Sequence, residues 1–515
     1  MKTSLLPLSS LLAATIQTCN PLMAAEPSRP NIILIVADDL GWGDLGCYPK
    51  GEAWGEEAHI STPHMDALAA TGVKCTQGYT TGMVCAPSRA GLISGQYEQR
   101  FGYYGFEDSL APIPNDLKLL PEALREAGYR TGMIGKWHVS SAPGSWPLDR
   151  GFDRFFGFIG GQHDFYEANI GETMHGVGCS SDAPIYDQET PVAETKYLTE
   201  EFTDRAIEFM AQEEEKPFFL YIPYNTPHPP LQAPWEYLEK HASARPGGKF
   251  TNRDIARAMI ENLDDNVGRL CAWLEEKGLR ENTLIVLTSD NGGSDGGPGR
   301  MTQHNGGLKG RKGTYYEGGI RVPCIVNWPK RLPAGEIYTK PVSQLDFYPT
   351  FLAAAGAADL KTQPLDGVNL IPYLKGETKA LPHPRMYWCL EHPGTWAVRE
   401  GDWKLVREIT DPNVLRDSEP RTVELQLYDL GSDAHEEHNL IESKPEVAQH
   451  LRQLFDDFRS GLKPALGTPE IVAEWKATLA ERQRKPELMN VEFETGSPGH
   501  WRVRKEKRPA KPASE

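Results

Sequence analysis

Two acidic clusters in this chain each follow an apolar run. Asp38-Asp39 comes directly after Asn31 to Ala37 (NIILIVA), and Asp290-Asn291-Gly292-Gly293 follows Thr283 to Thr288 (TLIVLT). Nearly continuous β-branched runs of this kind read as strands buried on both faces, as in a parallel sheet. In open α/β sheets, ligands bind beyond the carboxyl ends of the strands. Asp38, Asp39, Asp290 and Asn291 would there form a cage of hard oxygen donors. Such a cage suits Ca²⁺, with Mg²⁺ as the alternative, and not a soft metal. A single Asp-Asp pair at a strand end also serves as a plain cap and turn; two clusters, each after a buried strand, favour the cage.

The eight cysteines stand at 19, 47, 75, 85, 179, 271, 324 and 389. Cys19 falls in a leader: Lys2 supplies a positive start, Leu5 to Ile16 an apolar core, and Ala24-Ala25 a small-residue cleavage site before Glu26. Residues 1–25 therefore read as a secretory signal, and the protein as exported, periplasmic or secreted. Ile16, Gln17 and Thr18 make a poor lipid-attachment context for Cys19. The seven remaining cysteines are too sparse for a disulfide framework and show no zinc spacing. Seven is also odd, so at least one thiol lacks an intramolecular partner and is free for chemistry.

The elements that must position these groups are legible in outline. Strands are expected at 130–135 and 218–223 besides the two above. Helices are expected at 65–70, 119–127, 200–212 and 254–277. Strand and helix alternate, which is the signature of an α/β fold with a large, doubly wound, mostly parallel sheet flanked by helices. Near residue 383 the texture changes to short alternating segments at 386–390, 396–399, 403–406 and 425–428, then a helix at 445–458. The expected division is a catalytic domain over 26–382, a C-terminal α+β subdomain over 383–465, and an extension over 466–515 that ends in a disordered basic tail. The 515 residues carry 54 Lys+Arg against 71 Asp+Glu, a net charge of −17. That balance excludes nucleic acid and an anionic membrane as main partners. No later apolar run is long enough to span a bilayer, so no stable membrane anchor is expected.

Between the acidic clusters lies Cys85-Ala86-Pro87-Ser88-Arg89, then Ala90-Gly91-Leu92-Ile93-Ser94-Gly95. This run resembles the signature of the type I sulfatases, a family that shares its main fold with the alkaline phosphatases. The resemblance extends over about residues 29 to 460. Asp38-Asp39-Leu40-Gly41 and Ser289-Asp290-Asn291-Gly292 look like the family's two metal turns. Gly135-Lys136-Trp137-His138 looks like its sulfate-binding loop, and Pro227-His228-Pro229-Pro230 like its histidine loop. Leu308 to Thr314, then Tyr316-Glu317-Gly318-Gly319, look like its lysine loop. Gly401-Asp402-Trp403-Lys404-Leu405 and Leu427-Tyr428-Asp429-Leu430 look like its C-terminal subdomain.

The resemblance implies a sulfuric ester hydrolase in which Cys85 is converted to formylglycine by a formylglycine-generating enzyme before folding completes. It implies one calcium ion held by Asp38, Asp39, Asp290, Asn291 and the modified residue 85. One hydroxyl of the hydrated aldehyde would attack sulfur, with Asp290 as the nearby carboxylate to take its proton. His228 or Lys312 would protonate the leaving oxygen, and His138 would remove the proton that lets sulfate leave. Lys136 and Lys312 would clamp the sulfate oxygens, and Arg89 would hold residue 85 and its turn. Lys309 and Arg311 are the neighbouring cations that this reading sets aside in favour of Lys312.

The expected substrate is a sulfated carbohydrate or an aryl sulfate. Gln162, His163, Asp164, His175, His392 and Trp396 are possible sugar contacts, on loops at about 158–193 and 382–395. A phosphoric or phosphonic ester hydrolase, or a catalytically silent glycan-binding relative, would share the fold; Cys85 in place of Ser or Thr favours the sulfatase. If residues 1–25 are a cleaved signal, N-terminal sequencing of the exported protein finds a start near Glu26. A chain that still begins at Met1 or Lys2 overturns that reading.

Overall fold

The computed structural model describes residues 29–49, 60–165, 185–192, 195–212, 216–242, 250–294, 303–390, 394–409 and 422–482, besides Met1. The leader, Cys19, Cys179, His175, His392 and the basic tail lie outside the described residues.

Eleven strands form one large sheet: β1 (Asn31–Ala37), β2 (Val73–Tyr79), β3 (Arg130–Lys136), β4 (Arg154–Phe158), β5 (Ile185–Asp187), β6 (Thr190–Val192), β7 (Phe218–Pro223), β8 (Thr283–Ser289), β9 (Arg321–Asn327), β10 (Glu336–Tyr338) and β11 (Val342–Ser343). The centre, β8-β1-β7-β3-β4, is parallel throughout. The five residues Ile32 to Val36 of β1 are each at most 1% exposed. At roughly 1.5–3 kcal/mol per fully buried aliphatic side chain, β1 is a principal source of fold stability.

The two faces of β1 are covered by different helices, as a doubly wound sheet requires. Ile33, Ile35 and Ala37 pack towards the helices Leu198–Met210 and Asn252–Glu276. Ile32, Leu34 and Val36 pack towards the helices Cys85–Ser94, Leu120–Glu126 and Phe347–Ala354. The 252–276 helix begins with a capping box: the Thr251 amide donates to Asp254 Oδ2 at 2.7 Å, and the Asp254 amide to Thr251 Oγ1 at 3.2 Å. Those two bonds satisfy end donors that the helix cannot.

The edges differ from the all-parallel centre. β9 runs antiparallel to β8, and β2 antiparallel to β9; β5 and β6 close the other edge as a hairpin. Among the described residues, no helix is long and apolar enough to cross a membrane.

A second sheet of four antiparallel strands follows: β12 (Arg385–Cys389), β13 (Trp396–Glu400), β14 (Trp403–Ile409) and β15 (Val423–Asp429). Both of its faces are covered. Cys389, Trp396, Val398, Leu405 and Leu427 pack on Ala448, Leu451 and Phe455 of the helix Pro445–Arg459. Met386, Trp388, Ala397, Val406 and Tyr428 pack on Tyr79, Met83, Val84, Tyr315, Tyr316 and Ile320 of the larger unit. A further helix, Pro469–Arg482, lies within the stretch where only an extension was expected.

Candidate active site

Register brings the two acidic turns together. β1 and β8 are parallel with Ala37 opposite Ser289, so Asp38-Asp39 and Asp290-Asn291 leave the sheet side by side. The Asp290 amide donates to Ala37 O at 3.1 Å, and the Asp39 amide to Asp290 Oδ1 at 3.2 Å. Asp39 adopts φ of 69° and His138 φ of 45°. Left-handed backbone at non-glycine residues costs of order 1–3 kcal/mol and clusters at functional sites.

Lys136 ends β3, two strands from β1, and its Nζ donates to Asp38 Oδ2 at 2.7 Å. Arg89, in the second turn of the Cys85–Ser94 helix, donates through Nε (2.9 Å) and Nη2 (2.6 Å) to Asp290 Oδ2. Its Nη1 donates to Lys136 O at 3.0 Å, and Nη2 lies 3.8 Å from Asp38 Oδ1. Lys312 Nζ donates to Asp39 Oδ1 at 2.6 Å. His228 Nε2 stands 3.9 Å from Asp39 Oδ2, while its Nδ1 lies 2.6 Å from Pro229 O. Three buried carboxylates thus face three cations.

The loops that carry these groups are locked to one another. The Gly292 amide donates to Gly319 O at 2.9 Å, and a Cβ at Gly292 would stand 1.9 Å from Gly318 O. Only glycine lets the Asp290-Asn291 turn approach the 308–319 loop that closely. The Lys312 amide donates to Gly293 O (3.1 Å) and the Gly313 amide to Met83 O (2.8 Å), two residues before Cys85.

The donor set fits a hard divalent cation. Asp38 Oδ1 and Asn291 Oδ1 are buried with no hydrogen-bond partner among the described residues. Asn291 uses its Nδ2 on Asp39 Oδ1 (2.7 Å) and Gly292 O (2.9 Å), which leaves the amide oxygen for a ligand. One ligand atom each from Asp38, Cys85 and Asp290 lies within 4.8 Å of the others, and so do atoms of Asp38, Asp39 and His228. That span matches oxygens arranged around a calcium ion at 2.3–2.6 Å.

Protonation follows from burial and neighbours. Burial and the adjacent Asp290 push Asp38 up to about 8, against the pull of Lys136 and Arg89. Burial also opposes ionisation of Asp39 and Asp290, but Lys312 and His228 outweigh it at Asp39, and Arg89, Lys136 and Lys312 at Asp290. Both therefore sit below the usual carboxylate range, and Asp290, pinned by Arg89, is a weak proton acceptor. Burial lowers His228 to about 3, helped by Lys312. His138 is held well below the ordinary histidine range by burial, then by Lys136, Arg89 and Lys312. Its ring stacks on Phe106, and neither ring nitrogen has a hydrogen-bond partner among the described residues. Burial raises the Cys85 thiol, with Lys136 and Lys312 acting against it.

All nine expected site residues other than Cys85 thus converge around its helix. Lys309 points elsewhere, to Tyr428 OH at 2.9 Å. Trp396 is corrected as a sugar contact: it is 4% exposed and stacked on Phe455 at 4.1 Å. His163 and Asp164 are buried as well, and Asp164 Oδ1 accepts from Gln232 Nε2 at 3.0 Å. Asn225 was missed. It is buried two residues past β7, and neither amide atom has a partner among the described residues. The strand-end rule that singled out Asp38 would have found it.

A family model described as Sulfatase matches residues 30–357, and one described as N-sulphoglucosamine sulphohydrolase, C-terminal, matches residues 311–461. Human arylsulfatase A is 34% identical over 477 residues, covering 84% of this chain and 88% of that protein. Canine N-acetylgalactosamine-6-sulfatase is 31% identical over 368 residues, covering 68% and 67%. The crystal structure of Ps i-CgsB in complex with k-i-k-neocarrahexaose matches with a TM-score of 0.73 at 30% identity, covering 88% of this chain and 98% of that one.

A hard-cation site of this kind predicts that added Ca²⁺ raises the unfolding temperature. A hundredfold excess over Kd stabilises by about 2.7 kcal/mol. Asp39→Ala should remove the shift. Unfolding curves unchanged by millimolar Ca²⁺ or Mg²⁺ would count against the site.

Proposed function

The chain belongs to the sulfatase family, and from that premise we propose that it hydrolyses the sulfate ester of a sulfated carbohydrate with a formylglycine at position 85 and a calcium ion. Sulfuric ester hydrolysis is the activity of the family; the sugar, the modified residue and the ion are the reading advanced here. The observation that carries it is the convergence of Lys136, Lys312, His138 and His228 on residue 85 beside the oxygen cage. A sugar substrate is supported by the carrahexaose bound to Ps i-CgsB and by the galactosamine specificity in the canine relative's name.

Asp38, Asp39, Asp290, Asn291 and the modified residue 85 would hold the calcium. The ion would supply Lewis acidity at the sulfate and orient the nucleophile. Hydrated formylglycine would supply a hydroxyl nucleophile and a second hydroxyl whose deprotonation expels sulfate. A cysteine thiol offers neither, and here burial keeps it protonated and a poor nucleophile.

The chain's own residues divide the remaining work. Lys136, fully buried, and Lys312, partly buried, would bind sulfate oxygens as charge develops. Burial opposes the charge on Lys312, but Asp39 outweighs it and raises the lysine above its ordinary value. Lys312 therefore acts as a cation on the leaving oxygen and gives up its proton reluctantly. His228 is neutral in the resting site, and it can deliver a proton once a bound sulfate draws its imidazole upward. His138 is held neutral with both nitrogens open, the state required of a base. Arg89 keeps Asp290 ionised and aligned. The exported location remains part of this proposal.

Two experiments follow. Peptide mass spectrometry across residues 82–100 should show an aldehyde in place of the Cys85 thiol, and specific activity should scale with the converted fraction. Full activity from unmodified Cys85 protein refutes the mechanism. The histidines should separate by kinetics. His228→Ala should slow alkyl sulfates by at least tenfold more than activated aryl sulfates, because good leaving groups need less protonation. His138→Ala should release one equivalent of phenol per site from an aryl sulfate and then stall. Equal losses of His228→Ala on both ester types, or steady turnover by His138→Ala, would remove the assigned roles.

A further inference from the structure

One buried lysine lies outside the site and bears on it. Lys404, on β14 of the small sheet, is fully buried, and its Nζ meets Glu317 Oε1 at 2.8 Å and Glu436 Oε1 at 2.9 Å. Both carboxylates are fully buried as well. Glu317 closes the lysine loop, five residues after Lys312. The amide of Glu317 donates to Glu436 Oε2 at 2.7 Å, so the same glutamate holds the backbone and the cation. Tyr79 OH donates to Glu317 Oε2 at 2.6 Å, and Arg399 Nη1 donates to Tyr79 OH at 2.5 Å. Tyr79 is the last residue of β2, six residues before Cys85.

The other end of the loop is held by the same sheet. Lys309 Nζ donates to Tyr428 OH and to Glu436 O (3.2 Å), and its ammonium lies over the Tyr316 ring at 4.5 Å. The Tyr315 amide donates to Glu408 Oε2 at 2.8 Å. Lys312 thus sits between two anchors, at Lys309 and at Glu317, and both converge on Glu436. Glu436 itself has φ of 57°, a backbone conformation kept only where surrounding contacts over-determine it.

We propose that Lys404 is a positioning residue for Lys312: through Glu317 and Glu436 it fixes the loop that aims Lys312 at Asp39 and at the sulfate. The proposal rests on the reading of Lys312 as a catalytic cation. The physical reason is that the Lys404 ammonium, 2.8 Å from Glu317 and 2.9 Å from Glu436, is the charge that lets two buried glutamates stand side by side. Removing the ammonium leaves the two glutamates to separate or to share a proton, and either change re-seats Glu317 and the loop it closes. A displacement of about 1 Å in a catalytic group is enough to cost a hundredfold in rate.

A double-mutant cycle tests this in the full-length modified enzyme, with 4-nitrophenyl sulfate as probe. Lys404→Met should lower kcat at least tenfold in the wild-type background. In a Lys312→Met background it should lower kcat less than twofold, because the group it positions is gone. A general weakening of the fold would give the same factor in both backgrounds, and that result overturns the proposal. So does a folded Lys404→Met enzyme with wild-type kcat. Glu436→Gln carries the same test with a milder change should Lys404→Met not fold: a loss of at least threefold that disappears in the Lys312→Met background. If Lys312→Met alone retains full activity, the reading of Lys312 fails, and the proposal falls with it.

Discussion

Everything at this site depends on balancing charge in a place without water. Asp38, Asp39 and Asp290 are each at most 1% exposed. A buried carboxylate without compensation either protonates or destabilises the fold by several kcal/mol. The chain answers with Arg89, Lys136 and Lys312, one cation for each acid. The balance is incomplete at Asp38, whose Oδ1 lacks a hydrogen-bond partner among the described residues and whose acidity is weakened by burial and Asp290. In the proposed reading a divalent cation would complete it and leave an excess of positive charge, which the single negative charge of a sulfate ester would offset in part. In that view Lys136 and Lys312 hold the acids in the resting protein and turn to the substrate when the ion takes over.

The fold is arranged to bring these opposite charges together. β1, β3, β7 and β8 end at one edge of the parallel sheet, and their last residues lead into Asp38, Lys136, Asn225 and Asp290. Residue 85 arrives at the head of its helix, behind the loop 80–84, and Lys312 arrives on a loop. Each loop is braced from outside by the inner face of the small sheet, where Trp388 Nε1 donates to Thr80 O at 2.7 Å and Glu408 holds Tyr315. The C-terminal sheet is therefore part of the scaffold of the site.

The central sheet and most site residues were legible in the sequence, for identifiable reasons. Strands buried on both faces leave continuous apolar runs, and two acidic clusters at their ends are more than caps and turns require. The Cys85 run is specific enough to identify the family. Other features leave no local signal. The Cys85–Ser94 helix contains Pro87 and Gly91 and is buried on every side, so it shows no helical periodicity. β2 is mixed in polarity, β9 is interrupted by Pro323, and the two pair antiparallel outside the all-parallel centre. Trp396 was expected among the sugar contacts, but both faces of the small sheet are covered and its ring lies inside. The cluster of Glu317, Lys404 and Glu436 is assembled from three distant segments, and no spacing rule connects them.

The charge balance can be measured without turnover. Isothermal titration of inorganic sulfate into the protein, first stripped of divalent ions and then saturated with Ca²⁺, compares the site with and without its fourth cationic charge centre. Sulfate should bind at least tenfold more tightly with Ca²⁺ present, and Ca²⁺ should bind more tightly by the same factor with sulfate present. Equal sulfate affinity in the two states would contradict the claim that the buried acids hold Lys136 and Lys312 until a divalent ion releases them.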